Sequence, residues 1–232
     1  MRSALILAAL LVAALCSGAS KSAADSPGKL RAWTHIKSVL LSAEFGGRDG
    51  VIERWTRSPK ITVVGGSGQD LFYVQRVIGE LNAALDGTAI TLRHGNPGAA
   101  DIGIIFTPTP NFAEIAAMYG FDYVRGGVGF AGLTVDHRHR ARLAVVLIAD
   151  ELEADERRAT VIQELYHSLG VVNDSPYFPS SVLFEDSDGG SSATALAMVD
   201  RKLLKLLYAY LKPGDREADL RRAFDLYWDT LE

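Results

Sequence analysis

Residues 163–170 read Gln163-Glu164-Leu165-Tyr166-His167-Ser168-Leu169-Gly170. Thr160, Gln163, Glu164 and His167 recur at i, i+3, i+4 and i+7, which places them on one face of a helix. Val161, Leu165 and Ser168 line an adjacent stripe, and Ile162, Tyr166 and Leu169 a third. A polar strip therefore runs along a helix that is otherwise mostly apolar in its second half, and such a helix is expected to be substantially buried. A buried glutamate beside a histidine must find partners or change its protonation state. That requirement makes the strip a candidate site. Asp150 to Glu156 are acidic enough to suit the helix N-terminus, and Gly170 is a natural residue just past its end.

Upstream, apolar spacing over Trp33–Glu44 predicts a helix that Gly46-Gly47 stops. His35 falls off its apolar stripe and is expected to be exposed. Val51–Trp55 should pack nearby. Lys60–Val64 is β-branched and short, a strand. Gly65-Gly66-Ser67-Gly68 then leads into a helix from Asp70 to about Leu85, with Ser67 or Asp70 as its cap. Strands are expected at Thr88–Arg93 and Asp101–Phe106, with a short helix or loop over 111–120. Gly127–Val135 and Ala141–Ile148 should form a hairpin with a polar tip at 136–140. Downstream of Gly170, residues 172–191 read as a Ser/Pro/Asp-rich loop. Two further helices follow, Ala193–Leu211 and Arg216–Leu231, separated by a turn at Pro213-Gly214. Strands first and helices last predict an α+β fold, a mixed sheet packed against helices, with the helix of 163–170 followed by a C-terminal helical part.

The ends bound the setting. Residues 1–20 have the pattern of a signal peptide: Arg2, then an uncharged apolar run from Ala4 to Leu15 too short to span a bilayer. Residues 21–30 read as a flexible leader and 31–232 as one domain. Leu15 stands where a lipoprotein signal wants a small residue, which argues against anchoring through Cys16. No later stretch reads as a membrane span, so a periplasmic or secreted protein is expected. Cys16 is the single cysteine, so the core rather than a disulfide must hold the mature chain together. A formal charge of −4 without a long basic run argues against nucleic acid as a partner.

In zinc hydrolases, H-E-x-x-H sets two imidazoles one turn apart and a glutamate between them as base for the metal-bound water. Here Gln163 takes the place of the first imidazole, while Glu164, His167 and Gly170 keep the spacing. The longer run Gln163-Glu164-x-x-His167-x-x-Gly170-x-x-Asn173 resembles the metzincin pattern H-E-x-x-H-x-x-G-x-x-H, with Asn173 at the third ligand's position. The chain as a whole is similar to an uncharacterised family of exported bacterial domains in the zincin-like superfamily. Ala43–Gly47, Arg54-Trp55, Ile61–Gly66, Glu164–Ser175, Ser181–Asp186 and Leu211–Gly214 carry that resemblance. It implies a zincin-like fold and export, and it brings no established activity.

The departures bear on chemistry. Zinc favours imidazole, thiolate or carboxylate donors and a hydrolytic site usually has three of them, whereas an amide oxygen is neutral and competes poorly. Asp174 could replace Asn173 after a small loop shift, leaving His167 and Asp174 as the metal donors. Two functions are carried forward. One is a non-peptidase or pseudo-enzyme that uses the cleft around Gln163, Glu164, His167, Asn173 and Asp174 to bind an envelope peptide, glycan or protein, with no cofactor. The alternative is an atypical metal-dependent, peptidase-like hydrolase with zinc and Glu164 as general base. A purely structural role predicts Gln163, Glu164 and His167 fully buried with no cleft beside them. In the loop, Glu185 or Asp186 could pair with Glu164, and a serine could pair with His167.

Overall fold

The computed structural model describes residues 25–41, 50–96, 98–123, 126–187 and 189–231. The leader 1–20 and the stretch Ala43–Gly47 lie outside those residues.

Strand β5 (Ala141–Ala149) explains the architecture. Its run Ala144–Ala149 is continuously apolar and buried throughout, the pattern of a strand covered on both faces. Ala144, Val146 and Ile148 join the larger core, while Val145, Leu147 and Ala149 meet Phe112 and Ala116 on the other side. β5 pairs in parallel with β3 (Ile102–Thr107), which pairs in parallel with β1 (Lys60–Val64), and β1 with the short β2 (Arg93–His94). On its other side β5 pairs antiparallel with β4 (Gly129–Val135), giving a five-stranded sheet of order β2-β1-β3-β5-β4. β4 is thus an edge strand.

Helices α1 (Pro27–Leu41), α2 (Gly68–Ala84), α4 (Ala154–His167), α5 (Met198–Tyr210) and α6 (Glu217–Tyr227) contribute to the larger core, and α3 (Phe112–Met118) covers the opposite face. The mixed sheet packed against helices, with α4 followed by a helical C-terminal part, is the fold class expected. Among the described residues no helix is long and apolar enough to cross a membrane.

Four details differ from the sequence reading. Pro27–Leu30, expected within the leader of 21–30, belong to α1: Ser26 accepts from Leu30 N and Lys29 N, and Pro27 suits a first helical turn. Of the expected strand 88–93 only Arg93 joins the sheet, with His94 after it. Asn82 takes both the N–H and the carbonyl of Leu92, so that backbone is satisfied by a side chain instead of a ladder. α5 starts at Met198, not Ala193, because buried Asp200 accepts from Ala197 N and fixes the first turn there. His35 is fully buried, where an exposed position was expected. The segment 172–175 packs over it, and helical periodicity within α1 carries no trace of a loop 140 residues away.

Segment 51–55 clamps two helix ends. Arg54 Nη1 donates to the carbonyls of Leu207 (2.7 Å), Tyr208 (3.1 Å) and Leu211 (2.7 Å), the unsatisfied end of α5. Trp55 Nε1 donates to Ser168 O (2.9 Å) and Tyr208 Oη to Leu169 O (2.7 Å), at the end of α4. Gly170 has φ +97°, and a Cβ there would lie 2.0 Å from Glu53 O, so only glycine admits this approach. The clamp fixes the direction in which α4 and its polar face point.

Candidate functional site

α4 presents its polar strip beside the start of β4. Its other faces are sealed: Val161, Ile162, Leu165 and Tyr166 are fully buried, and Tyr166 Oη donates to Asp200 O (2.8 Å). Arg157 spans from α4 to Asp70 of α2 (3.1 Å) and holds the helix against its neighbour. Thr160 is buried and back-bonds to Glu156 O (2.9 Å). Gln163, Glu164 and His167 are mostly but not fully buried, so the strip keeps some access to solvent. That argues against the purely structural reading.

His167 Nδ1 donates to Val171 O (2.7 Å), which fixes the ring, and Nε2 faces Asp174 Oδ1 at 3.3 Å. Burial alone would lower the imidazole pKa, but the Asp174 carboxylate, Glu164 and the Val171 carbonyl outweigh it and push it to about 9. Gln163 Nε2 donates to the same Asp174 Oδ1 (3.0 Å). Burial acts to raise the Asp174 carboxyl, yet His167, Gln163 and a contact from Glu185 hold it below its ordinary value. The result is a His167–Asp174 ion pair braced by an amide.

Glu164 stands apart from that pair. Its carboxyl makes no hydrogen bond among the described residues. It lies against Gly129 at the beginning of β4, where any side chain would collide with it. Burial is the main cause that raises its pKa, Asp174 adds to the rise and His167 opposes it, leaving it at about 7. A carboxyl in that state is half protonated near neutrality and can either donate or accept a hydrogen bond.

The structure brings Gln163, Glu164, His167 and Asp174 together. It does not bring Asn173 to them. Asn173 is buried and its Nδ2 donates to Ser38 O of α1 (3.1 Å), because Val172 N is tied to Val39 O and turns the chain that way. Glu185, on the small hairpin of Glu185–Asp186 and Gly189–Gly190, touches Asp174 rather than Glu164. Ser175 is buried against His35, not His167. Ser181 donates to Asp200. The role of Gly129 went unrecognised from sequence. Its only signal was a glycine at the head of a strand that the hairpin pattern places beside the next helix.

The donor set can be compared with what zinc requires. His167 Nε2, the free ring nitrogen, is already turned to Asp174, and Gln163 presents its NH2 to that carboxylate. Among the described residues, no three His, Cys, Asp or Glu side chains are grouped to hold a metal ion.

A family described as "Protein of unknown function (DUF2927)" matches residues 34–225, from the middle of α1 through most of α6. The chain belongs to the DUF2927 family. Within this DUF2927 chain, the matched span contains every residue of the site. No curated protein matches it. Among solved structures, that of myroilysin is similar at 13% identity, with a TM-score of 0.44, over 67% of this chain and 82% of the other.

Proposed function

We propose that this DUF2927 protein is an exported binding protein of zincin-like descent, a non-peptidase that holds an extended peptide between the open edge of β4 and the polar face of α4. The observation that carries the reading is Glu164: among the described residues its partly buried carboxyl has no hydrogen-bond partner and lies under the first residue of a strand at the edge of the sheet. An edge strand offers main-chain donors and acceptors to an added strand, and side-chain contacts then supply selectivity. Glu164 is placed to supply one such contact to a backbone amide or a polar side chain. The His167–Asp174 pair, locked by Gln163 and Val171, keeps the polar face of α4 rigid. The spacing of Glu164, His167 and Gly170 supports the zincin-like descent, and the leader 1–20 supports export.

The alternative, a metal-dependent hydrolase with Glu164 as base, draws support from the His167 ring, whose Nδ1–H···O=C bond leaves Nε2 as the nitrogen free of a proton-donating role, as in many metal ligands. One imidazole already facing a carboxylate, and an amide turned NH2-first, do not fit a three-donor zinc site.

The test is binding of a random extended-peptide library to the mature protein, with zinc and with chelator. Retention of peptides that is indifferent to chelator and weakened severalfold by Glu164→Gln supports the binding reading. Stoichiometric zinc after purification with zinc present, together with cleaved peptides that Glu164→Gln abolishes, would replace it with the hydrolase.

A further inference from the structure

The loop that supplies Asp174 is held from behind by α1. Val172 N donates to Val39 O (2.8 Å), Asn173 Nδ2 donates to Ser38 O (3.1 Å), and Ser175 Oγ meets His35 Nδ1 (2.9 Å). His35 and Ser175 are buried, and the edge of the Phe178 ring closes over the imidazole with centroids 5.1 Å apart. The second ring nitrogen, His35 Nε2, is buried without a hydrogen-bond partner among the described residues. That is an uncommon state for a buried polar atom, and one that points to a role.

We propose that the His35–Ser175 contact is an acid-sensitive latch: protonation of the buried imidazole releases Ser175 from α1 and, through it, draws Asp174 away from Gln163 and His167. The argument holds for either tautomer. If Nδ1 accepts from Ser175 Oγ–H, the new proton goes to Nδ1, the hydroxyl must turn to accept from it, and the charged ring keeps a buried Nε2–H with no acceptor. If Nδ1–H donates to Ser175, the proton goes to Nε2 and buries a charged N–H with no acceptor. A buried, unpaired cation is far more costly than a buried neutral ring.

Nothing nearby neutralises it among the described residues. On α1, Arg31 lies over the Phe178 ring (5.0 Å) and Lys37 is paired with Glu217 of α6. Arg221 of α6 is paired with Asp25 and Asp225. The loop's own Asp174 is turned to His167 and Gln163. Burial accordingly pushes the His35 pKa down to about 4. With an ordinary value of about 6.5 once the loop opens, opening becomes more favourable on the order of 20-fold between pH 7 and pH 5. The latch regulates the site described under the proposed function. Its effect on peptide binding rests on that reading, and its effect on the loop does not.

The experiment is amide exchange, corrected for intrinsic rate, on the peptide-free protein at pH 7 and pH 5, followed at Ser175, Leu183 and Glu185. We expect protection in the wild type to fall roughly 20-fold at pH 5 while amides of β5 hold, and to stay level in His35→Phe. Equal losses in both proteins, or no loss in the wild type, overturn the latch. Should His35→Phe not fold, NMR titration of the wild-type imidazole decides. A ring that protonates near 6.5 with the loop amides unmoved sinks it, and a ring that protonates together with loss of loop protection supports it. Because no peptide is present, failure here leaves the binding reading intact.

Discussion

The place a Cβ would take on Gly129 lies 2.5 Å from Glu164 Oε1 and 2.5 Å from Thr160 Cγ2. Real Cβ atoms do not approach that closely. The head of β4 and the centre of α4 therefore pack through a missing side chain, and the Glu164 carboxyl occupies the space. Gly129→Ala should destabilise the fold by about 1–3 kcal/mol and displace Glu164. Adding Glu164→Ala should recover part of that loss, because the two changes share one clash. Urea denaturation of the four proteins of the cycle measures it. Strict additivity would mean that the two residues do not compete for the same space.

Stability should depend on pH through two groups raised in the fold. Glu164 sits at about 7 against an ordinary 4.5, so its favourable contribution is complete below pH 4.5 and is lost as pH rises through 7. His167 sits at about 9 against 6.5, so its contribution is complete below 6.5 and is lost as pH rises through 9. Both effects weaken the fold on the alkaline side. Glu164→Gln should be more stable than the wild type at pH 8, by roughly 1–2 kcal/mol, and should show no such gain at pH 4.5. Denaturation midpoints at the two pH values are the check, and a gain at both would point to a cause other than ionisation.

Asp174 is the partner that keeps His167 charged, at 3.3 Å from Nε2. Asp174→Asn removes the charge while keeping the shape. The imidazole, left with burial, Glu164 and the Val171 carbonyl, should titrate below 9, because Asp174 is the largest of the causes that raise it. NMR titration of the ring follows it directly, and an unmoved value would show that Glu164 rather than Asp174 holds the proton.

Arg54 reaches three carbonyls at the end of α5, and its guanidinium lies 4.7 Å from the Tyr208 ring. Arg54→Met should leave those carbonyls unsatisfied in the core and lower stability by about 3 kcal/mol or more. Arg54→Lys should recover only part, since a single ammonium does not reproduce the spread of the guanidinium. Thermal unfolding of both variants reads this out. A loss confined to a few tenths of a kcal/mol would show that water takes over the carbonyls.

Much of the fold was legible because it is written in local periodicity. The run Ala144–Ala149, the stripe of α4, the Ser67–Asp70 capping box and the hairpin 129–149 each rest on neighbours within a few residues. Elements that depend on distant partners were misread. His35 is off the stripe of α1, yet the loop from 172 covers it. Thr88–Leu92 alternates like a strand, yet Asn82 satisfies it. Of the candidate site, Gln163, Glu164 and His167 followed from helical spacing and Asp174 from a plausible shift of the loop. Asn173 followed from the same spacing and points elsewhere, because its direction is set by α1.

The sequence by itself determined the α+β layout and the sharing of one helix face by Gln163, Glu164 and His167, since both follow from the period of the chain. Only the tertiary structure decided that His167 pairs with Asp174, that the Glu164 carboxyl lies under Gly129, and that His35 is sealed behind Ser175. Those relations join residues far apart in the chain. They are fixed by which atoms are left without water or a partner once the elements pack.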